Sequence, residues 1–174
     1  MRAEARDYNP AVRATKRPRV SDGQPWQDDE LFPTPPWATR ALMQIVLPHL
    51  FVSNLGPIWE PCAGLGHMAE VLGERAPGVF ATDKNLYRLD DGRSASGFGI
   101  VQQDFLAASI EHWPKALGRR PGRIISNPPF GLATQIVRHA LSLATEGVAM
   151  LLRMQWLETL ERYQLFAECP PTLV

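Results

Sequence analysis

Pro57-Ile58-Trp59-Glu60-Pro61-Cys62-Ala63-Gly64-Leu65-Gly66 is the stretch that decides the fold. Pro57-Ile58-Trp59 reads as a short apolar strand, and the two glycines let the backbone turn sharply with no Cβ in the way of a ligand. From His67 to Arg75 the pattern is helical, with Met68, Val71 and Leu72 on one face. Strand, glycine loop and helix make up the nucleotide-binding half of a doubly wound sheet. Gly64-Leu65-Gly66-His67-Met68-Ala69 also fits the dinucleotide pattern G-x-G-x-x-A, which alone would equally suit a dehydrogenase. Glu60 separates the two, because an acid at the strand end repels a pyrophosphate.

Downstream the alternation of strand and helix continues. Gly78–Asp83 is a second strand ending in an acid, and Asp83 lies 17 residues beyond Gly66. That is near the distance expected of a carboxylate accepting from both ribose hydroxyls. Lys84 is expected to face solvent, and residues 85–97 are polar and rich in Gly and Ser. Phe98–Val101 is the third strand. Asp104 follows it, placed to accept from a base amine or to cap a helix over Leu106–Glu111, with Phe105 stacking beside it. Arg123-Ile124-Ile125 is the fourth strand, and Arg119, Arg120 and Arg123 crowding its approach read as a solvated loop, with a place near a nucleic-acid backbone as the alternative. Leu132, Ile136, Ala140 and Leu143 give a helix, Val148–Leu152 a fifth strand. Trp156, Leu160, Tyr163 and Phe166 recur at helical spacing and read as a core stripe. The fold class is α/β, a doubly wound, mostly parallel sheet of Rossmann type.

The fourth strand runs into Ser126-Asn127-Pro128-Pro129-Phe130. Neither proline can donate a ladder hydrogen bond, each fixes its own φ, and Asn127 before a proline is pushed to extended geometry. The result is a stiff tongue at the carboxyl end of a strand, where open α/β sheets bind ligands. It offers an amide, carbonyls without neighbouring N–H groups, and an aromatic face. The Asn127 oxygen and the Pro128 carbonyl suit the two hydrogens of an exocyclic amine, with Phe130 stacking on the ring.

Upstream, Thr34-Pro35-Pro36 is a helix start, with Thr34 at the N-cap and proline in the first turn. Trp37/Ala38, Ala41/Leu42 and Ile45/Val46 follow at helical spacing, and Pro48 is expected to end the run. Free N–H groups at that start can hold a carboxylate. Residues 1–25 read as a mobile tail and residues 26–174 as one folded domain. The chain has 18 Lys+Arg and 18 Asp+Glu. That neutral total hides a basic arm, because Arg2, Arg6, Arg13, Lys16, Arg17 and Arg19 face only Glu4 and Asp7 within the first 20 residues. Such an arm suits non-specific contact with nucleic-acid phosphates. Cys62 and Cys169 stand far apart with no metal-ligand spacing, and no run approaches transmembrane length. A cytoplasmic, membrane-free protein with reduced thiols and no metal is expected.

Asn127-Pro128-Pro129-Phe130 resembles the Asn-Pro-Pro-Phe motif of S-adenosylmethionine-dependent amino methyltransferases, chiefly those acting on adenine N6 in DNA. The order of Thr34-Pro35-Pro36, the Glu60–Gly66 glycine loop, Asp83, Asp104-Phe105 and the tongue is similar to that of the gamma-type enzymes, including small ones of phages and prophages. The resemblance implies that Thr34 and Pro35 lie beside the methionine carboxylate of the cofactor. It implies that Glu60 meets the methionine ammonium, with Cys62, Gly64 and Gly66 lining the site. Asp83 would hold the ribose, Asp104 and Phe105 the cofactor's adenine, and Asn127 to Phe130 the target base. The partner is then DNA, with RNA adenine, a protein glutamine amide or a catalytically silent nucleotide-binding module as alternatives. The family's sheet continues with a further antiparallel strand pair where this sequence ends at Pro170-Pro171-Thr172-Leu173-Val174. The C-terminal strands therefore read as incomplete, and the fifth strand is expected to present an apolar edge that a partner or a second copy would cover.

Overall fold

Ile58–Glu60 and Arg123–Ser126 are short runs in which every residue is buried, as in central strands of a sheet covered on both faces. The structure, a computed structural model, describes residues 19–20, 31–50, 55–88 and 98–174. In chain order the elements are β1 (Arg19–Val20), α1 (Pro36–Ala41), α2 (Leu47–Leu50), β2 (Ile58–Glu60), α3 (His67–Gly73), β3 (Val79–Asp83) and β4 (Tyr87–Arg88). They continue as β5 (Ile100–Gln102), β6 (Arg123–Ser126), α4 (Ala133–Leu143), β7 (Gly147–Met150) and α5 (Leu160–Glu168).

Five strands pair in the order β5-β3-β2-β6-β7, all parallel. From β2 the chain winds through α3 to β3, and from β6 through α4 to β7 on the opposite side. The order therefore reverses between β2 and β6, the place where such sheets bind ligands. Strand periodicity sends Trp59 and Ile124 to one face, where they pack with Ile136, Ala140 and Leu143 of α4. Ile58 and Ile125 go to the other, against Met43, Leu47, Met68 and Leu72. The chain is thus a doubly wound α/β fold. Trp59 also ties β2 to β3, its indole Nε1 donating to Thr82 Oγ1 at 2.9 Å. No described helix is long and apolar enough to cross a membrane.

Several local expectations are corrected. Arg123 is not solvated like the loop before it: it opens β6, is 1% exposed and pairs with Glu146 at 2.6 Å. Pro48 does not end the first helix; it sits inside α2. A π-helical turn over Leu42–Val46, in which the Leu47 N–H reaches back to the Leu42 carbonyl, shifts the bonding pattern just before it. The N-cap of α1 is Pro35 rather than Thr34, with no side-chain cap, because Pro36 forces its predecessor into extended geometry (φ −61°, ψ 133°). The helix expected over Leu106–Glu111 is two 3-10 turns, Phe105–Ala107 and Ile110–His112. Ser109 between them caps the second turn in a capping box with His112, so the chain restarts there. The Trp156–Phe166 stripe is not core throughout. Leu160 is 91% and Tyr163 71% exposed. The extended Thr159 interrupts the helix, so α5 buries Leu165 instead, while Phe166 packs edge-on to Trp156.

The expected tail over residues 1–25 lies outside the described residues, except that Arg19–Val20 pairs antiparallel with Tyr87–Arg88. At the other end β7 is an edge strand of the sheet, half-buried, and the exposed Leu151 and Met154 follow it.

Candidate functional site

Each strand of the parallel sheet delivers one polar residue to its carboxyl edge. Across the sheet these are Asp104 just past β5, Asp83 at the end of β3, Glu60 at the end of β2, Asn127 just past β6 and Arg153 past β7. The edge is chemically lopsided, with three carboxylates on one half, an amide in the middle and a guanidinium on the other. A hollow runs along it, bordered by Phe32, Thr34, Glu60, Cys62, Gly64, His67, Asp83, Lys84, Asn85, Tyr87, Asp104, Phe105, Asn127 and Pro129 among others. Its volume is about 140 Å³, and it opens to solvent.

Glu60 is 1% exposed, and its Oε2 has no hydrogen-bond partner among the described residues. Burial, reinforced by the neighbouring Asp83 charge, pushes its carboxyl well above the ordinary range. A buried carboxylate with a bare oxygen on a hollow suits a cation or a strong donor. Asp83 is better provided for: its Oδ2 accepts from the Gly64 N–H at 2.7 Å and its Oδ1 from the Asn85 N–H at 2.9 Å. Burial still outweighs those two bonds and raises its carboxyl. The Gly64 contact depends on a left-handed backbone (φ 54°), and Gly66, also left-handed (φ 82°), is the N-cap of α3. Cys62 is half-buried among these acids, and burial pushes its thiol up, so it lines the hollow as a neutral thiol and not as a nucleophile.

Asp104 caps the first 3-10 turn, Oδ1 accepting from the Leu106 N–H at 3.1 Å, while Oδ2 pairs with Lys84 Nζ at 3.1 Å. Lys84 is thus exposed as expected, but holds the acid across the mouth of the hollow. Each carboxylate oxygen keeps a further lone pair beside these contacts. Phe105 borders the hollow yet is 3% exposed, locked edge-on against Trp59 (centroids 5.2 Å apart).

The tongue is held from an unexpected quarter. Asn127 Nδ2 donates to the Phe32 carbonyl at 2.9 Å and to Thr34 Oγ1 at 3.1 Å, from the segment that leads into α1. Both amide hydrogens are spent on the protein, which leaves Oδ1 as the group the tongue can offer a donor. Phe130 packs on Phe32 with centroids 5.3 Å apart, and the Arg153 guanidinium lies over the Phe130 ring at 4.3 Å and the Phe32 ring at 5.7 Å.

Of the residues singled out from sequence, Thr34, Glu60, Cys62, Gly64, Asp83, Asp104, Phe105, Asn127 and Pro129 border one hollow. Pro35, Gly66, Pro128 and Phe130 do not line it themselves; they set the backbone or flank those that do. Sequence reasoning missed Phe32, Asn85, Tyr87 and Arg153. The one signal for Phe32 is an aromatic directly before Pro33-Thr34-Pro35-Pro36, and nothing in the sequence announces Arg153.

No family model matches the chain, and no curated protein matches it. Among solved structures the chain is similar to TrmN from Thermus thermophilus, at 24% identity and a TM-score of 0.47. The match covers 81% of this chain and 42% of that one, so this chain spans less than half the length of its neighbour. What the hollow does has therefore to be read from its own residues.

Proposed function

We propose that the chain transfers a methyl group from S-adenosylmethionine to the N6 amine of an adenine turned out of DNA. The observation that carries this reading is that one hollow joins a buried carboxylate with a bare oxygen, Glu60, to the immobilised amide of the diproline tongue. The residues present fit the cofactor. Glu60 would take its ammonium, Asp83 its ribose hydroxyls and Asp104 its adenine amine, with the glycine loop allowing close approach. When bound, S-adenosylmethionine supplies an electrophilic methyl group.

The chain's own part is to make a poor nucleophile better. The lone pair of adenine N6 is delocalised into the ring. Asn127 Oδ1 and the Pro128 carbonyl accept the two amine hydrogens, which favours a tetrahedral nitrogen and stabilises the positive charge that develops on it. Phe32 and Thr34 hold the amide so that Oδ1, not Nδ2, faces the amine. Phe130 provides a ring for the base to stack on, and the base must leave the duplex to reach it. No general base is required, since the nitrogen proton is acidic once alkylated; positioning supplies the rest.

The test is a labelled-methyl assay on DNA, structured RNA and a glutamine-bearing peptide, with digestion to identify the product. N6-methyladenine from DNA is expected. Label confined to RNA or to glutamine, or none anywhere despite bound cofactor, would overturn the reading.

A further inference from the structure

We infer that Arg153 occupies the base-stacking face of Phe130 until substrate arrives, then yields it and engages a phosphate of the incoming strand. This rests on reading the tongue as an adenine site. The guanidinium is planar and lies 4.3 Å from the Phe130 centroid and 5.7 Å from that of Phe32. It thus stands where a planar base would stack. Arg153 is exposed, and among the described residues its contacts are with these two rings and not with a carboxylate. It also follows β7, at the far end of the carboxyl edge from Asp104, Asp83 and Glu60. A polyanion approaching the hollow meets Asp83, Glu60 and the Lys84–Asp104 pair on one half of that edge and the Arg153 guanidinium on the other.

Two consequences distinguish a strand from a free nucleoside. Displacing a cation from an exposed aromatic face weakens any stacking ligand by about 2- to 5-fold. A nucleoside recovers nothing for it, whereas a strand gains a charge-assisted phosphate contact. Arg153 therefore acts as a specificity residue for polynucleotide over nucleoside.

The experiment measures binding of a single-stranded adenine-containing oligodeoxynucleotide and of deoxyadenosine to the full chain, with the cofactor site saturated by S-adenosylhomocysteine. Wild type, Arg153→Ala and Arg153→Lys are compared, with unfolding curves as a check on folding. Arg153→Ala should bind the oligonucleotide on the order of 10-fold more weakly, with a salt slope shallower by about 0.7. The same variant should bind deoxyadenosine about 2- to 5-fold more tightly. Arg153→Lys should recover most of the oligonucleotide affinity. Unchanged oligonucleotide binding and salt slope in Arg153→Ala would overturn the inference alone, if the wild type still methylates DNA. Equal weakening toward both ligands would overturn it too, marking Arg153 as a prop for Phe130. A wild type that binds S-adenosylhomocysteine but neither adenine ligand would sink the adenine reading, and this inference with it.

Discussion

Glu60 and Asn127 are the two side chains on which the proposed chemistry turns, and each gives a prediction of definite sign. Glu60 is buried with no partner for Oε2 among the described residues, and burial pushes its carboxyl well above the ordinary range. An acid with a raised folded pKa is least costly while protonated. Its penalty grows as pH rises from the unfolded carboxylate range through the folded pKa. Glu60→Gln should therefore match the parent in thermal unfolding near pH 4.5 and exceed it at pH 8, by about 2–4 °C for each kcal/mol recovered. The same variant should bind S-adenosylmethionine roughly 10- to 150-fold more weakly, the loss expected for a hydrogen bond to a charged group. Equal melting curves at pH 8 would mean that Glu60 is satisfied by something else. Asn127→Ala should leave cofactor affinity intact in calorimetry and lower the methylation rate on the order of 10²–10³. A variant as fast as its parent would exclude the amide from the mechanism.

At the scale of elements, the site depends on three short segments meeting. The Gly64 turn places its N–H on Asp83 in a left-handed conformation, and a Cβ there would come within 2.7 Å of Leu31. Leu31 can move, but the backbone cannot, so Gly64→Ala should cost about 1–2 kcal/mol and lower the melting temperature by several degrees. The segment before α1 reaches across to the tongue through Thr34 Oγ1. Thr34→Val removes one of the two anchors of Asn127 and should reduce kcat roughly 2- to 10-fold with the KM for cofactor little changed. A change confined to cofactor KM would return Thr34 to a purely cofactor-binding role.

The same segments mark what sequence could and could not reveal. Strand ends and their acids were legible because a buried strand between glycine and proline punctuation leaves few places for Glu60, Asp83 and Asn127 to go. The Asn127–Phe32 bond joins residues 95 apart in sequence, and no local pattern encodes it. Pro48 misled because a π-turn absorbed it, a tertiary accommodation that propensity does not anticipate. Leu160 and Tyr163 misled because spacing was counted through Thr159, where the helix breaks. Arg153 could not be found at all, since an arginine after an edge strand is indistinguishable from a solvated one until its ring partners are in place.

Seen as a whole, the molecule is a parallel sheet whose carboxyl edge grades from acid to base, with a hollow at the point where strand order reverses. That gradient should make cofactor binding itself pH-dependent. At 100 times its Kd a ligand stabilises the folded chain by about 2.7 kcal/mol, which is about 5–10 °C. The effect should grow as pH rises through the folded pKa of Glu60, because in the proposed complex the ammonium needs the ionised acid. A thermal shift flat across the whole pH range in which the chain stays folded would place the cation elsewhere. The measurement that tests the central claim most directly is transfer of a labelled methyl group from S-adenosylmethionine to adenine-bearing DNA by the full chain, beside Asn127→Ala. Label recovered as N6-methyladenine, and at least about 100-fold less of it with the variant, is the predicted result. Cofactor bound at full affinity with no label on adenine, or equal label from both proteins, would contradict it.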